Sequence, residues 1–294
     1  MLAVARDPLG LDRVPVGPPL SMFDPMFIGI DELGQPVYLH TVYHNLLVAG
    51  EPGGGKSGFL NNTVGHAALA DNTRLVLLDG KLVELGPWMD IADEFVGPDL
   101  DHAIAVLRRL LIVVTNRYAW LLAHRRRKIR PQDRMSVIVV VIDELSIFST
   151  VLGTKAKQEE FDALLRGVVA LGRACGVPVV AATQRPSWDI IPASLRDLFG
   201  YRAAFRCTTR NSSDIILGQG WAEQGYNANT ISPTNPGEAY LITDGGTPHL
   251  VKAAYLTDEQ IYTIADHAAW TRRPTSLATP TAAAQPRGQW AIAA

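Results

Sequence analysis

Apolar residues fall along this chain in two rhythms, and the alternation between them predicts a layered α/β protein. Short apolar runs at residues 45–49, 75–78, 137–142, 177–182 and 201–207 read as strands. The run at 137–142 is apolar at every position, as expected of a parallel strand covered on both faces. Between the second and third runs, Leu100, Ile104, Leu107, Leu111, Val114, Tyr118 and Leu121 recur every three or four residues. That spacing predicts one buried face of a long helix. A second helix is predicted over 158–175, closed by Gly176 and Pro178. Runs at 238–242 and 249–254 flank Asp244-Gly245-Gly246, a hairpin signal. Thr257, three residues before Gln260, opens a terminal helix reaching His267.

Composition narrows the class. Of 294 residues, 47% are hydrophobic, enough for a substantial core in one large domain or two modest ones. Net charge is −2, so a polyanion would have to meet a local basic patch or a surface concentrated by oligomerisation. Cys175 and Cys207 are far apart and read as reduced, buried thiols. The scattered histidines form no HExxH pair, which argues against a protein-built metal site. No basic-then-apolar leader opens the chain, and no apolar run reaches the roughly 20 residues that cross a bilayer. The nearest, 104–114, is broken by Arg108 and Arg109. A cytoplasmic protein is expected, held at the membrane only through partners. Residues 1–27 read as a Pro/Gly-rich arm, 28–268 as the folded domain and 269–294 as a flexible tail.

Chemistry enters at Gly50-Glu51-Pro52-Gly53-Gly54-Gly55-Lys56-Ser57, followed by Gly58, which fits G-x-x-x-x-G-K-[ST] in full. Glycines let backbone N–H groups curl around phosphate oxygens without Cβ clashes, and the positive end of the following helix adds to the anion site. Lys56 is placed for the β- and γ-phosphates of ATP, and Ser57 for Mg²⁺. The second half of the site is Asp143-Glu144, at the end of the wholly apolar strand. Asp143 takes the Mg²⁺ role, and Glu144 polarises the attacking water as general base. The stretch between Lys56 and Asp143 leaves room for an extra strand, 75–78, between the two motif strands. That suits a RecA-like P-loop ATPase with a mostly parallel central sheet flanked by helices. The fourth predicted strand runs into Thr183-Gln184-Arg185. Gln184 is the sensor candidate, since a strand-tip amide can contact the γ-phosphate or the lytic water. An ordinary strand-to-loop polar residue is the plain alternative.

Further stretches carry a resemblance. They include Leu78-Asp79-Gly80-Lys81, Asn116-Arg117-Tyr118, Gly172-Arg173-Ala174-Cys175-Gly176-Val177 and Ala182-Thr183-Gln184-Arg185-Pro186-Ser187. Ser213-Asp214-Ile215-Ile216-Leu217 with Trp221-Ala222-Glu223-Gln224, and Ala253-Ala254-Tyr255-Leu256-Thr257, belong with them. Together they resemble the FtsK/SpoIIIE family of double-stranded DNA translocases over residues 28–268, with Gly80 standing where the family has proline.

The resemblance implies a homo-oligomeric ring, a hexamer, that threads duplex DNA and hydrolyses ATP between subunits, a neighbour supplying an arginine to the γ-phosphate. Arg202 is the best match for that arginine and Arg173 the reserve, with a subunit ion pair the plain alternative for either. Lys155 and Lys157 resemble the family's channel-facing lysines and would neutralise DNA phosphates; a solvated helix start is the alternative. The basic run 124–130 has no channel position in the resemblance, and such runs are usually solvated faces. Large family members carry membrane helices and a winged helix that this sequence is not expected to have. It looks more like compact transfer proteins of actinomycete conjugative plasmids and integrated elements, docked on a membrane-anchored transfer protein. A chromosome-partition motor and a type VII protein-export ATPase are the alternatives.

Overall fold

The computed structural model describes residues 3–6, 13–16 and 20–272. Ten strands make one sheet: β1 (Met26–Asp31), β2 (Pro36–Leu39), β3 (Leu46–Ala49), β4 (Thr73–Leu78), β5 (Glu94–Val96), β6 (Val137–Ile142), β7 (Val179–Thr183), β8 (Tyr201–Phe205), β9 (Glu238–Ile242) and β10 (His249–Ala253). Their spatial order is β2-β1-β10-β9-β8-β3-β7-β6-β4-β5. From β8 to β5 every pairing is parallel, and β9, β10, β1 and β2 extend the sheet antiparallel. Two small pairs accompany it, Ala3–Arg6 with Arg13–Val16 and Leu20–Ser21 with Ala70–Asp71.

Helices α1 (Lys56–Leu69), α2 (Leu100–Ala123), α3 (Lys155–Gly172), α4 (Ala193–Arg196), α5 (Arg210–Leu217) and α6 (Asp258–Thr271) complete the layers. Strand residues alternate between two cores. Leu47, Ile138, Val140, Ile142 and Ala204 pack with α2, α3 and α5, whereas Leu46, Val48, Val139, Val141 and Ala203 pack with α1 and α6. That two-sided cover is why β6 contains no polar residue. The expected stripe on α2 buries Leu100, Ile104, Leu107, Val114 and Leu121.

Several boundaries move. The second long helix covers Lys155–Gly172, with 158 already inside it, and residues 173–175 tighten into a 3₁₀ turn before Gly176 adopts a positive φ. The Thr257–Gln260 capping box is present, and α6 continues to Thr271. Packed structure begins before residue 28, since Met22 and Met26 are each 1% exposed. Residues 1–2, 7–12 and 17–19 of the expected arm, and the tail beyond Arg272, lie outside the described residues. Residues 75–78 lie between the motif strands in sequence but not in space: β7 separates β3 from β6, and β4 lies on the far side of β6.

Asn45 precedes β3 rather than belonging to it, and it ties three elements together. Fully buried, its Nδ2 donates to the Val169 carbonyl at 2.7 Å while its Oδ1 accepts from Val179 N at 3.0 Å. Replacing it with an apolar residue of similar size leaves both backbone groups unpaired. Asn45→Leu is therefore expected to cost about 2–4 kcal/mol, read as a lower urea midpoint at unchanged m-value.

Candidate active site

The glycine loop between β3 and α1 is held by backbone contacts that leave no space for a side chain at Gly50 or Gly55. A Cβ at Gly50 would come within 2.7 Å of Phe205 Cβ, and one at Gly55 would collide with the Gly237 backbone. Gly50, Gly53 and Gly55 also take positive φ. Glu51 N donates to the Arg206 carbonyl at 2.8 Å, the Glu51 carboxylate pairs with Arg206 at 2.8 Å, and Gly237 N donates to the Gly54 carbonyl at 2.8 Å. Helix α1 starts at Gly55 with no side-chain cap and no acidic residue in its first turn. Its first N–H groups and its positive end are the feature a phosphate fits.

Lys56 Nζ donates to the carbonyls of Gly50 and Glu51 at 2.5 and 2.6 Å, which leaves one of its three protons for a phosphate oxygen. Burial pushes its pKa down to about 8, against the opposing pull of Glu144 and Asp143. Ser57 and Gly58 follow on the first turn of α1, half-buried.

At the tip of β6, Asp143 is 5% exposed and its Oδ2 has no hydrogen-bond partner. Burial, then the neighbouring carboxylates Asp79 and Glu84, raise its pKa to about 7. A buried carboxylate oxygen left unpaired beside a phosphate loop fits a cation. Among the described residues no group of three or more His, Cys, Asp or Glu forms a metal cage. An ion here would share Asp143 and Ser57 with phosphates and water, the habit of Mg²⁺.

Glu144 is held far more tightly. Its Oε1 accepts from Thr183 Oγ1 at 2.7 Å, Ser146 Oγ at 2.6 Å and Ser146 N at 3.3 Å, and its Oε2 accepts from Gln184 N at 2.8 Å. Oε1 is thus the anchored oxygen, while Oε2 keeps capacity to accept a proton from water. The chain then enters a π-turn, Ile147–Val151. Gly80 packs under it: a Cβ there would lie 2.6 Å from Ile147 Cγ2. That contact accounts for glycine at this position.

Loop, Asp143, Glu144 and Gln184 therefore converge at the carboxyl ends of β3, β6 and β7. The arginines do not. Arg202 pairs in register with Leu47 and lies on the face of α5, opposite α1. Its Nε is buried without a partner, and burial, then Arg196, lower its pKa against Asp197. Arg173 is exposed at the opposite edge of the sheet. Lys155 and Lys157 sit in the first turn of α3, Lys157 bound to Asp101 at 2.6 Å and Lys155 4.0 Å from Glu159. Cys175 and Cys207 are free and buried.

Sequence reasoning passed over Thr183 and Ser146, which orient Glu144, and Asp79, which faces Asp143 and accepts from the backbone N–H groups of Lys81, Leu82 and Leu85. Thr183 and Asp79 lie inside stretches already singled out by resemblance. Arg206 carried no signal at all.

A sequence profile described as the FtsK/SpoIIIE family matches residues 22–223. The chain belongs to the FtsK/SpoIIIE family. It is a P-loop ATPase by fold and by family. The DNA translocase FtsK of Corynebacterium glutamicum is 31% identical over 256 residues, covering 78% of this chain and 26% of that protein. The FtsK of Treponema pallidum is 28% identical over 264 residues, 84% of this chain and 32% of that one. This FtsK/SpoIIIE chain thus spans about a quarter to a third of those curated relatives. Among solved structures, the pCW3 conjugation coupling protein TcpA, in a monomer form with ATPγS, superposes with a TM-score of 0.71 at 18% identity, over 92% of this chain and 81% of its own. The cytoplasmic domain of the Thermomonospora curvata type VII secretion ATPase EccC gives a TM-score of 0.66 at 21% identity, over 87% and 32%. No helix among the described residues is long and apolar enough to cross a membrane.

The raised pKa of Asp143 has a consequence for stability. A folded-state value of about 7 against an ordinary 3.8 means that folded protein holds a proton which unfolded chain releases. Asp143 therefore contributes less to stability as pH rises from about 4 to about 7, and its charge opposes folding above that. Asp143→Asn is expected to raise Tm by a few degrees at pH 8, with a gain that shrinks toward pH 4, while abolishing hydrolysis. Thermal melts across that range, without nucleotide, check it.

Proposed function

We propose that this ATPase moves double-stranded DNA through a ring of its own copies, a hexamer, in conjugative transfer between cells. One observation carries the reading: a complete phosphate loop, a cation-ready Asp143 and an oriented Glu144 stand within the stretch that matches the FtsK/SpoIIIE family. Relatives of this chain are named DNA translocases, and the pCW3 neighbour is named a conjugation coupling protein. Residues 28–268 are the motor, with ATP bound at Gly50–Gly58 and Mg²⁺ held by Ser57 and Asp143.

In this mechanism Lys56 and the α1 N-terminus bind the phosphates, and an Mg²⁺ held by Ser57 and Asp143 would supply charge neutralisation there. Glu144 Oε2 takes the proton of the attacking water. Gln184 reads the γ-phosphate and, through its backbone bond to Glu144, links that reading to the base. Arg202 acts on the pocket of an adjacent copy, because its own sheet separates it from α1; Arg173 is the reserve. A guanidinium with an unpaired buried Nε gains most from meeting a phosphate. Lys155 and Lys157 contact the duplex, and a membrane-anchored partner supplies the attachment.

Duplex DNA is expected to stimulate ATP hydrolysis by the purified protein. Stimulation by a secretion-signal peptide instead of DNA would identify a protein-export ATPase. Lys56→Ala abolishes nucleotide binding or turnover. Glu144→Gln keeps ATP bound, by filter assay, while turnover falls about 10²–10⁴-fold. Arg202→Ala binds ATP but loses turnover, and mixing with wild-type subunits restores part of it; full activity in the variant alone moves the role to Arg173.

A further inference from the structure

The densest positive charge in the molecule lies far from the catalytic edge. Residues 124–134 contain five arginines and one lysine against a single Asp133, on a chain with net charge −2. The segment follows α2, whose 24 residues span about 36 Å from the Asp101–Lys157 pair at its start. Helix α3 runs alongside in the same direction, since Tyr118 Oη donates to the Leu171 carbonyl and Arg117 Nη1 to the Cys175 carbonyl. The basic turn therefore sits at the edge where the parallel strands begin, beside exposed Arg173.

This turn is built rather than loose. Ile129 is fully buried, its N–H donating to the Ala174 carbonyl at 3.0 Å and its carbonyl accepting from Tyr43 Oη at 2.6 Å. Gly176 makes room for it, because a Cβ there would collide with Ile129 Cδ1. Asp133 pairs with Arg126 and also accepts from Arg130 N, and Arg125 turns the chain at φ 53°. Lys128 lies 4.3 Å over the Tyr43 ring. With Asp133 taken by Arg126, the ion pairs of the described residues give Arg125, Arg127, Lys128, Arg130 and Arg134 no acidic partner. All five are exposed. By contrast, the lysines near the catalytic edge face Asp101 and Glu159.

We infer that this arginine turn is a second duplex-binding surface, gripping the phosphodiester backbone at the edge of the sheet opposite the nucleotide. The inference rests on the motor reading above and names a further contact for the same substrate. Guanidinium forks match phosphate oxygens, and the predominance of arginine over lysine suits that chemistry. A lipid surface fits less well. The one apolar residue within 124–130, Ile129, is turned fully inward, so the turn offers nothing to insert among acyl chains. Leu122, just before it, is 80% exposed and makes vesicles the proper control.

The test compares wild type with Arg125→Asn/Arg127→Gln/Arg130→Gln, chosen so that asparagine accommodates the positive φ and the pinned Ile129 and Asp133 stay intact. Duplex binding is followed by fluorescence anisotropy between about 50 and 200 mM salt, with Tm as the check on folding. The slope of log K against log salt is expected to fall by about 2–3, and affinity about tenfold or more at 150 mM salt. Arg125→Lys/Arg127→Lys/Arg130→Lys, which keeps the charges, retains most of the slope. Unchanged affinity and slope in the neutral variant, with wild type binding duplex, overturn the inference and leave the motor reading standing. Loss of binding to phosphatidylserine vesicles with duplex binding intact overturns it in favour of a membrane. Wild type that binds no duplex overturns both.

Discussion

The parallel pairing of β7 with both of its neighbours is the constraint from which the site follows. Register sets Thr183 level with Ala49 on one side and Ile142 level with Ala181 on the other. The phosphate-loop motif, Asp143 and Glu144 are thereby carried on adjacent strand ends. Glu144 is then fixed by groups from two chain segments, Ser146 on its own turn, and Thr183 and Gln184 at the end of β7. A small slip of β7 would lose that orientation before it disturbed the core.

The same crowding makes the site electrostatically tense. Lys56 and Asp143 are both buried, and in each case the leading influence is desolvation rather than the opposite charge nearby. Burial disfavours the charged form of each, and no ion pair among the described residues joins the two. Lys56 gives two of its three donors to loop carbonyls, and Asp143 leaves an oxygen unpaired. Both groups are therefore ready for a ligand bearing the complementary charges, at the expense of the resting fold.

Much of this was legible in the sequence, because periodicity and motif spacing are local signals. Strand β6 showed itself by lacking any polar residue, α2 by its stripe, and the phosphate loop by glycines that geometry demands. Local signals could not show spatial order. Nothing in residues 75–78 reveals that β7, a hundred residues later, takes the place beside β3. Nor could they show which side chains hold Asp143 and Glu144. Thr183 and Ser146 are ordinary hydroxyls until the sheet closes, and Arg206 becomes relevant only because Glu51 folds back toward the end of β8. Lys157 was read as a channel-facing lysine or part of a solvated helix start, and the structure pairs it with Asp101 of α2. Asn45 had the same limitation: its role as a polar tie between strand and helix depends on partners more than 120 residues away.

The position of β3 in the sheet also governs when the protein can become competent. Its neighbours, β7 and β8, are synthesised more than 130 residues after it. During translation the glycine loop emerges early and stays open, with its flanking strand unpaired, until the chain has grown past Phe205 and Arg206. Pairings so distant are slow to form and leave apolar strand edges exposed meanwhile. The pocket around the phosphate loop is accordingly among the last parts of the nascent domain to mature, and a chain released early would carry the whole phosphate motif yet have nowhere to seat it.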